Sequence, residues 1–543
     1  MRDAFRELER RAIERGAVRR NDILALIPAV AAMSDSHGRS TPALRREFLS
    51  LERIARAAFT PGATAAFQQL VAETGSQMRG PILLPEDDTP YWQMDGHPLA
   101  DFQSARRLPS AADVVVIGAG LTGSSTSWHL APAIRRKGLR VVLLEYGDPA
   151  TQASGRNGGN FELIPENFLG EYQGLPIERQ KWLARRYPWL AQNTIRDAAD
   201  RQTRLIFEFG SRNSAHFLEI VRKEKIDCDL SETGWLRIAD TPGEERGIRS
   251  EVEFASSIGV RFDLLSPRQI RRETGIPARY AGRKAVPNGN YHPFKFVCGV
   301  LDRSLRRGVQ LFSRTPVLAL SATRGGLVRL ETSRGVVTAR RVVFATNAFT
   351  SNLLSEMRAI RYYQSQVLNL EHVRDTVGGM TITEKKGDLY YNFPKARKYR
   401  DGEGQSRGML LVGGGLDRPG HDPFLLRRSM NVLDQVLGQV SDRFTETRGQ
   451  PPSRLWTGPM AFTPDRVPVI GFLRRPGFPP DSLIIAAGFN GYGGTYCVEA
   501  GRLAAEMALT GKTPAEVPED MFSPHRFLTR RPLFVQRMLS ADG

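Results

Sequence analysis

Gly118, Gly120 and Gly123 form a G-x-G-x-x-G pattern directly behind the unbroken apolar run 114–117, VVVI. A β-branched run of that kind suits a strand buried on both faces. Residues 121–130 read as the helix that follows. In that setting Gly118 permits a tight turn, Gly120 leaves the backbone open to a pyrophosphate, and Gly123 lets the helix lie close on the strand. The helix N-terminus, with Leu121 and Thr122 in its first turn, faces the phosphate charge. A second apolar run, 141–144, ends in Glu145, about 20 residues further on, where a carboxylate accepts hydrogen bonds from an adenosine ribose. Together these residues predict a dinucleotide site. Glu145 would repel a 2′-phosphate, so NADP is disfavoured.

Such a site needs an α/β scaffold, and at 543 residues two to four domains are expected. Lys and Arg number 76 against 58 Asp and Glu, a net charge of +18. The excess is spread along the chain and densest over 6–20 and 525–537. It admits an anionic substrate, an acidic partner, an anionic membrane surface or a plain solvated surface. No zinc-finger or RNP pattern is present, so nucleic acid is not the expected partner. Cys228, Cys298 and Cys497 are odd in number and far apart, which gives neither a disulfide framework nor a C-x-x-C site. His216 and His292 lack metal-ligand spacing, and no metal is expected. A reducing cytoplasm suits this cysteine usage. The apolar run 23–33 follows an Arg-Arg pair but contains Pro28 and lies behind a charged, acid-rich segment, unlike an export signal. No run approaches the ~20 apolar residues of a membrane span.

Residues 1–108 read as a separate N-terminal helical extension. Phe5, Leu8 and Ile13, then Phe48, Leu51, Ile54 and Ala58, then Phe67, Leu70 and Val71 have helical spacing, punctuated by Pro42, Pro61 and Gly62. Its expected role is packing on the main body, on a second copy or on a partner protein; a basic membrane-surface anchor is the alternative. Beyond it, 178–225 is mainly helical, 235–238 a strand, 243–258 and 294–307 helices. Strands follow at 317–320, 327–331, 336–338 and 341–345, then at 362–370, 389–393, 409–412 and 482–487, before a helix over 496–509. The nucleotide-type strands at 113, 141, 341 and 482 are interrupted by strand-rich sequence. This predicts an α/β, Rossmann-like cofactor domain that is discontinuous (109–170, 285–360 and 455–515). A mainly antiparallel sheet domain is inserted into it (171–284 and 361–454), and a basic tail follows at 516–543.

That order and four further motifs resemble the FAD-dependent D-amino-acid-oxidase-like superfamily, which includes glycine oxidase, sarcosine oxidase and the γ-glutamylputrescine oxidase type. The motifs are ASGRNGG at 153–159, VVFATNA at 342–348, WTG at 456–458 with TPDRVPVIG at 463–471, and AGFNGYGG at 487–494. The resemblance covers roughly 110–512 and implies FAD as cofactor. It implies contacts from Ser154, Gly155, Arg156, Asn157, Gly158 and Gly159 along the flavin. It implies further contacts from Val317, Ala345, Thr346 and Asn347, from Trp456, Gly458 and Asp465, and from Gly488, Asn490, Gly491, Tyr492, Gly493 and Gly494. Gly491, Gly493 and Gly494 open the last helix, where backbone N–H groups suit the electron-rich edge of a reduced flavin. Gly158 and Gly159 let the backbone pass close to the ring.

The sequence also departs from the sarcosine-oxidase pattern. Gly458 stands where those members carry a cysteine joined to flavin, which implies non-covalent FAD. Tyr492 and Thr495 replace the histidine and the carboxylate-binding lysine of the final motif, which argues against a simple small amino acid. Leu411 falls where the lysine associated with oxygen activation stands, which leaves O2 or another electron acceptor open. The implied reaction is oxidation of a C–N bond of an amine or amino-acid-derived substrate, by hydride transfer to flavin N5 and hydrolysis of the imine. Tyr390, Tyr391, Tyr492 and Arg156, with Tyr362, are the substrate-orienting candidates: a tyrosine clamps an amine by cation–π contact or hydrogen bond, and Arg156 suits an anionic group or a flavin phosphate. Two alternatives remain. One is a flavoenzyme for a large anionic substrate such as a modified RNA base or carrier-bound group, motivated by the net charge. The other is a non-catalytic, FAD-stabilised assembly subunit docking through 1–108.

Overall fold

A computed structural model describes residues 89–162, 174–257, 259, 261–285, 288–384, 389–417 and 430–528. The helices expected within 1–88, the basic patch at 6–20 and the end of the tail lie outside the described residues.

The strand Ala111–Ile117 sits in the middle of an eight-stranded sheet, paired in parallel with Val141–Leu144 on one side and Gly335–Phe344 on the other. Its burial is complete from Val114 onward, as its apolar run requires. Leu483–Ala487 adds in parallel beyond Gly335–Phe344, and Gln310–Phe312 beyond Val141–Leu144. Two antiparallel additions, Val469–Phe472 at one edge and the ribbon Val317–Ala322/Val328–Thr332, complete it. The strands expected separately at 336–338 and 341–345 are one continuous strand, because Ala339 between them is buried and Arg340 faces solvent, in strand alternation. The helix Leu121–Lys137 packs on this sheet and against Gly493–Thr510. They approach so closely that a Cβ at Gly501 would stand 2.6 Å from Ser125 Cβ, and the Ser125 hydroxyl donates to the Val498 carbonyl at 2.6 Å.

A nine-stranded sheet is built mainly from the inserted sequence; its long strand Arg361–Arg374 lies next to one edge, antiparallel to Ser406–Asp417 and to the edge strand Arg454–Phe462, which falls in the stretch expected for the cofactor domain. It is antiparallel except where Thr381–Glu384 meets Trp235–Ile238. Alternation divides its faces. Leu368, Leu370, Leu410 and Val412 pack under Leu433, Val436 and Val440 of the helix Met430–Arg443, whereas Val367, Met409, Leu411 and Trp456 join the core shared with the first sheet.

Two expectations at the ends of the chain need correction. Part of the supposed extension is woven into the main body: Gln103 bridges to Phe312, Ser104 N–H donates to Leu311, and Tyr91 and Trp92 are buried. Part of the supposed tail is folded as well. Met521 and Phe522 are fully buried, and Arg526 in the short helix Pro524–Phe527 reaches Asp465.

Asp465, expected as a cofactor contact, is instead paired within the protein. Its carboxylate lies buried between Arg526 (3.0 Å) and Arg179 (3.2 Å) of the helix Gly174–Arg186. Burial alone would raise its pKa, but the charges of Arg526 and Arg179 outweigh that and hold it below the usual range. The sign follows: a depressed carboxylate contributes stability above the ordinary Asp range, and that contribution is lost as pH falls below about 4. Asp465→Asn leaves two buried guanidiniums uncompensated and is expected to cost about 3–5 kcal/mol. Thermal unfolding should show a lower Tm at neutral pH and a shallower loss of stability below about pH 4 than in the parent chain.

Candidate functional site

A cavity of about 550 Å³ runs from the C-terminal ends of the central strands to the face of the nine-stranded sheet. This is where ligands of open parallel sheets sit. Each glycine of the first motif is dictated by contact. Gly118 has φ +101°, and a Cβ there would stand 2.7 Å from the Ala345 carbonyl oxygen. A Cβ at Gly123 would stand 1.8 Å from the Gly118 oxygen. At Gly120 it would stand 2.5 Å from Ser154 Oγ, which accepts the Leu121 N–H at 2.9 Å in place of an N-cap side chain. Glu145 accepts from the N–H groups of Ala119 (2.7 Å) and Gly147 (3.0 Å), so it organises the turn as well as lining the cavity. Its burial pushes its pKa up, against the pull of those two donors.

Of the expected cofactor contacts, Gly118, Gly120, Leu121, Thr122, Glu145, Ser154, Arg156, Asn157 and Gly158 line the cavity. So do Val317, Ala345, Thr346, Asn347, Gly458, Asn490, Gly491, Tyr492, Gly493 and Gly494. The helix Gly493–Thr510 starts three residues earlier than expected, which brings Gly493 and Gly494 into its first turn and aims its N-terminus at the cavity. Asn347 Oδ1 accepts from Gly488 N–H at 3.0 Å, and Asn490 Oδ1 accepts from Thr463 N–H at 2.9 Å, so the AGFNGYGG loop is tied to the TNA turn and to 463. Gly123, Gly155, Gly159, Trp456, Gly488 and Asp465 stand behind the wall and shape it. Gly155, for example, would press a Cβ 2.0 Å from the Ala150 oxygen.

At Gly158 and Gly159 neighbouring groups give a further reason for glycine. The space a side chain would take at 158 is filled by the Tyr390 ring, 2.2 Å from the Cβ position, and at 159 by the Tyr291 oxygen and the Trp92 indole. Tyr390 also lies across Gly413, its direct cross-strand partner, where a Cβ would stand 1.9 Å from the phenol oxygen. Among the substrate-orienting candidates, Tyr390, Tyr492 and Arg156 line the cavity. Tyr391 does not: its side chain points to the opposite sheet face, where its hydroxyl bonds Glu384 in the core under Met430–Arg443. Tyr362 is likewise buried, donating to Gln364 at 2.9 Å. Arg156 Nε donates to the Thr457 carbonyl at 2.6 Å.

Sequence reasoning missed Trp235, Arg237 and Thr383, which share the cavity-facing side of two paired strands. The alternation Trp-x-Arg in a strand bounded by buried leucine and isoleucine was the available signal. Of the three cysteines only Cys497 lines the cavity, and burial pushes its thiol to about 12, so it stays neutral. Gly458 stands at the wall, and no histidine lines it among the described residues. The donor-rich helix ends, the adenosine-side carboxylate and the glycine turns fit a bound FAD. No group of His, Cys, Asp and Glu suited to a metal occurs among the described residues, and no described helix is long and apolar enough to cross a membrane.

Gly120→Val should abolish FAD binding, because the branched side chain displaces Ser154 and occupies the phosphate approach; the check is flavin content after purification. Gly413→Ala should cost about 1–3 kcal/mol by overpacking on the Tyr390 ring. Adding Tyr390→Ala should relieve most of that cost, a non-additivity that thermal unfolding of the single and double variants would reveal.

Comparison with known proteins agrees with this geometry. Residues 113–507 match a family described as FAD dependent oxidoreductase. The chain is 26% identical over 430 residues to gamma-glutamylputrescine oxidoreductase of Escherichia coli (strain K12), covering 78% of this chain and 89% of that one. Among solved structures it is similar to L-proline dehydrogenase from P. horikoshii (TM-score 0.60, 19% identity, 78% of this chain and 99% of that one). It is also similar to glycine oxidase from Geobacillus kaustophilus (TM-score 0.57, 19% identity, 78% and 100%). A dinucleotide turn, a flavin-side turn and a second sheet closing one cavity, together with a family match over most of the chain, establish that this protein belongs to the FAD-dependent oxidoreductases of the D-amino-acid-oxidase type.

Proposed function

We propose that the protein oxidises a carbon–nitrogen bond of an amine or amino-acid-derived substrate held between the flavin-side turn and the nine-stranded sheet. The observation that carries this reading is the position of Tyr390. Its ring is wedged between Gly158 of the flavin-side turn and Gly413 of the sheet, and its hydroxyl has no hydrogen-bond partner among the described residues. Burial raises its pKa well above the ordinary value, so the phenol stays protonated. A neutral phenol donates to or accepts from a substrate amine without changing its charge, and its ring offers a cation–π face.

Trp235 and Thr383 extend this wall, with the Trp235 indole donating to the Thr383 hydroxyl at 3.0 Å. Arg237, on the same face and 3.8 Å from the buried Glu251 carboxylate, also suits an anionic group remote from the reacting carbon. Bound FAD supplies the two-electron acceptor for the hydride on the carbon bearing nitrogen, and O2 or another acceptor takes those electrons on. The chain's own residues orient the C–H bond and exclude water, and no general base is needed when the amine arrives unprotonated. The names of the relatives, an oxidoreductase of gamma-glutamylputrescine, a proline dehydrogenase and a glycine oxidase, support the C–N bond as target.

The test is anaerobic addition of amines and amino acids to the purified holoprotein, followed through the visible flavin band, with air then readmitted. Bleaching by an amine is expected. Rapid recovery with peroxide would make the protein an oxidase, and slow recovery a dehydrogenase. A panel of primary amines, secondary amines and amino acids that leaves the band untouched would overturn the reading. Tyr390→Phe keeps the wedge and removes the hydroxyl; its bleaching rate should fall about tenfold with FAD content unchanged.

A further inference from the structure

Three consecutive carbonyls of the flavin-side turn are held from outside by side chains. Gln93 Nε2 donates to the Gly155 oxygen at 3.1 Å, the Trp456 indole to that of Arg156 at 2.8 Å, and the Trp92 indole to that of Asn157 at 2.7 Å. Both indoles are buried. A trans peptide is planar, with its N–H opposed to its C=O. Carbonyls pulled outward at 156 and 157 therefore turn the N–H groups of Asn157 and Gly158 the other way. Both residues line the cavity, and neither N–H has a partner among the described residues. The Arg156 N–H, by contrast, is already bonded to the Ala153 oxygen at 3.3 Å. Backbone donors in a closed wall call for an acceptor.

Trp92 is itself fixed. Its ring packs against Tyr91 (centroids 4.8 Å apart) and His292 (4.7 Å), and its Cη2 stands 3.1 Å from the Cβ position of Gly159. The flanking residues are tied to the other sheet: Arg454 donates to the Thr89 carbonyl at 3.2 Å, and the Arg397 guanidinium lies over the Tyr91 ring at 5.0 Å. Residues 89–93 lie ahead of the family match at 113–507, yet they reach both the flavin-side turn and the nine-stranded sheet.

We propose that Trp92 is a positioning residue for the cofactor: it holds the Asn157 carbonyl outward so that the Gly158 N–H, beside the Asn157 N–H set by Trp456, donates into the cavity toward an electron-rich acceptor of bound FAD. The proposal rests on the flavin site and not on the identity of the substrate. Removing the indole donor frees the Asn157 carbonyl and lets the adjoining peptide rotate. The donor pair then favours an electron-rich flavin less, and the flavin's reduction potential falls.

The experiment compares Trp92→Phe with Trp128→Phe in the full chain. Trp128 is a matched control: its indole is buried, donates to Glu224 at 2.9 Å and does not line the cavity. For Trp92→Phe we expect FAD binding about tenfold weaker by flavin fluorescence, an altered visible band and a lower reduction potential. Trp128→Phe should lose thermal stability while keeping affinity, band and potential. Parental affinity, band and potential in Trp92→Phe would overturn the proposal, as would equal changes in both variants. Should Trp92→Phe fail to fold, Trp456→Phe removes the tie on the Arg156 carbonyl that aims the Asn157 N–H; it should show the same shifts, and parental values there would overturn the proposal.

Discussion

The whole arrangement depends on one contact that leaves no room for a side chain. The carbonyl oxygen of Gly118 stands 1.8 Å from where a Cβ of residue 123 would be. Only glycine lets the helix Leu121–Lys137 come down onto the strand end at that distance. The helix then meets Gly493–Thr510 at Ser125 and Gly501, again with no space for a Cβ. Two helix N-termini are thereby brought to one cavity, and their aligned amide dipoles supply a positive field without a cation. Glu145, bonded to the Ala119 and Gly147 amides, locks the turn from the adjacent strand.

The second sheet is joined to this frame by the same device. At 158, 159 and 413 the absent side chains are replaced by aromatic rings that belong to other elements: Tyr390 at 158 and 413, Trp92 at 159. Ring-on-glycine packing buries large apolar area and leaves the ring little freedom, because the backbone on either side does not yield. The flavin-side turn, the nine-stranded sheet and the segment before the first strand therefore move as one. A substitution in any of them is felt at the cavity wall.

Much of the frame was legible in the residues. The continuous runs VVVI and VVLL, the glycine spacing and Glu145 have a meaning that does not depend on distant partners, and Val141–Leu144 and Trp235–Ile238 fall where their patterns place them. The errors have a common cause. Asp465 in TPDRVPVIG and Tyr391 beside Tyr390 are polar residues in motif-rich sequence, and what decides their role is a partner far along the chain: Arg179 and Arg526 for the one, Glu384 for the other. Adjacent strand residues point to opposite faces, so of the Tyr390–Tyr391 pair only one reaches the cavity. Trp92 lay in a Pro-rich stretch without periodicity, where nothing local marks a buried indole.

The net charge of +18 has a different standing once the cavity wall is known. The charged residues lining it are Glu145, Glu162 and Glu384 against Arg156 and Arg237. Arg156 is spent partly on the Thr457 carbonyl, and Glu384 faces Arg443. No lysine lines the cavity among the described residues. The surplus of basic residues is thus a property of the outer surface and of segments such as 6–20, not of the chamber where the cofactor fits. With Glu384 neutralised by Arg443 from the opposite sheet face, the wall carries no surplus of positive charge for a polyanionic substrate. A small amine with one anionic group would meet a neutral phenol, an indole and a single guanidinium on the sheet face, in keeping with the proposed reaction.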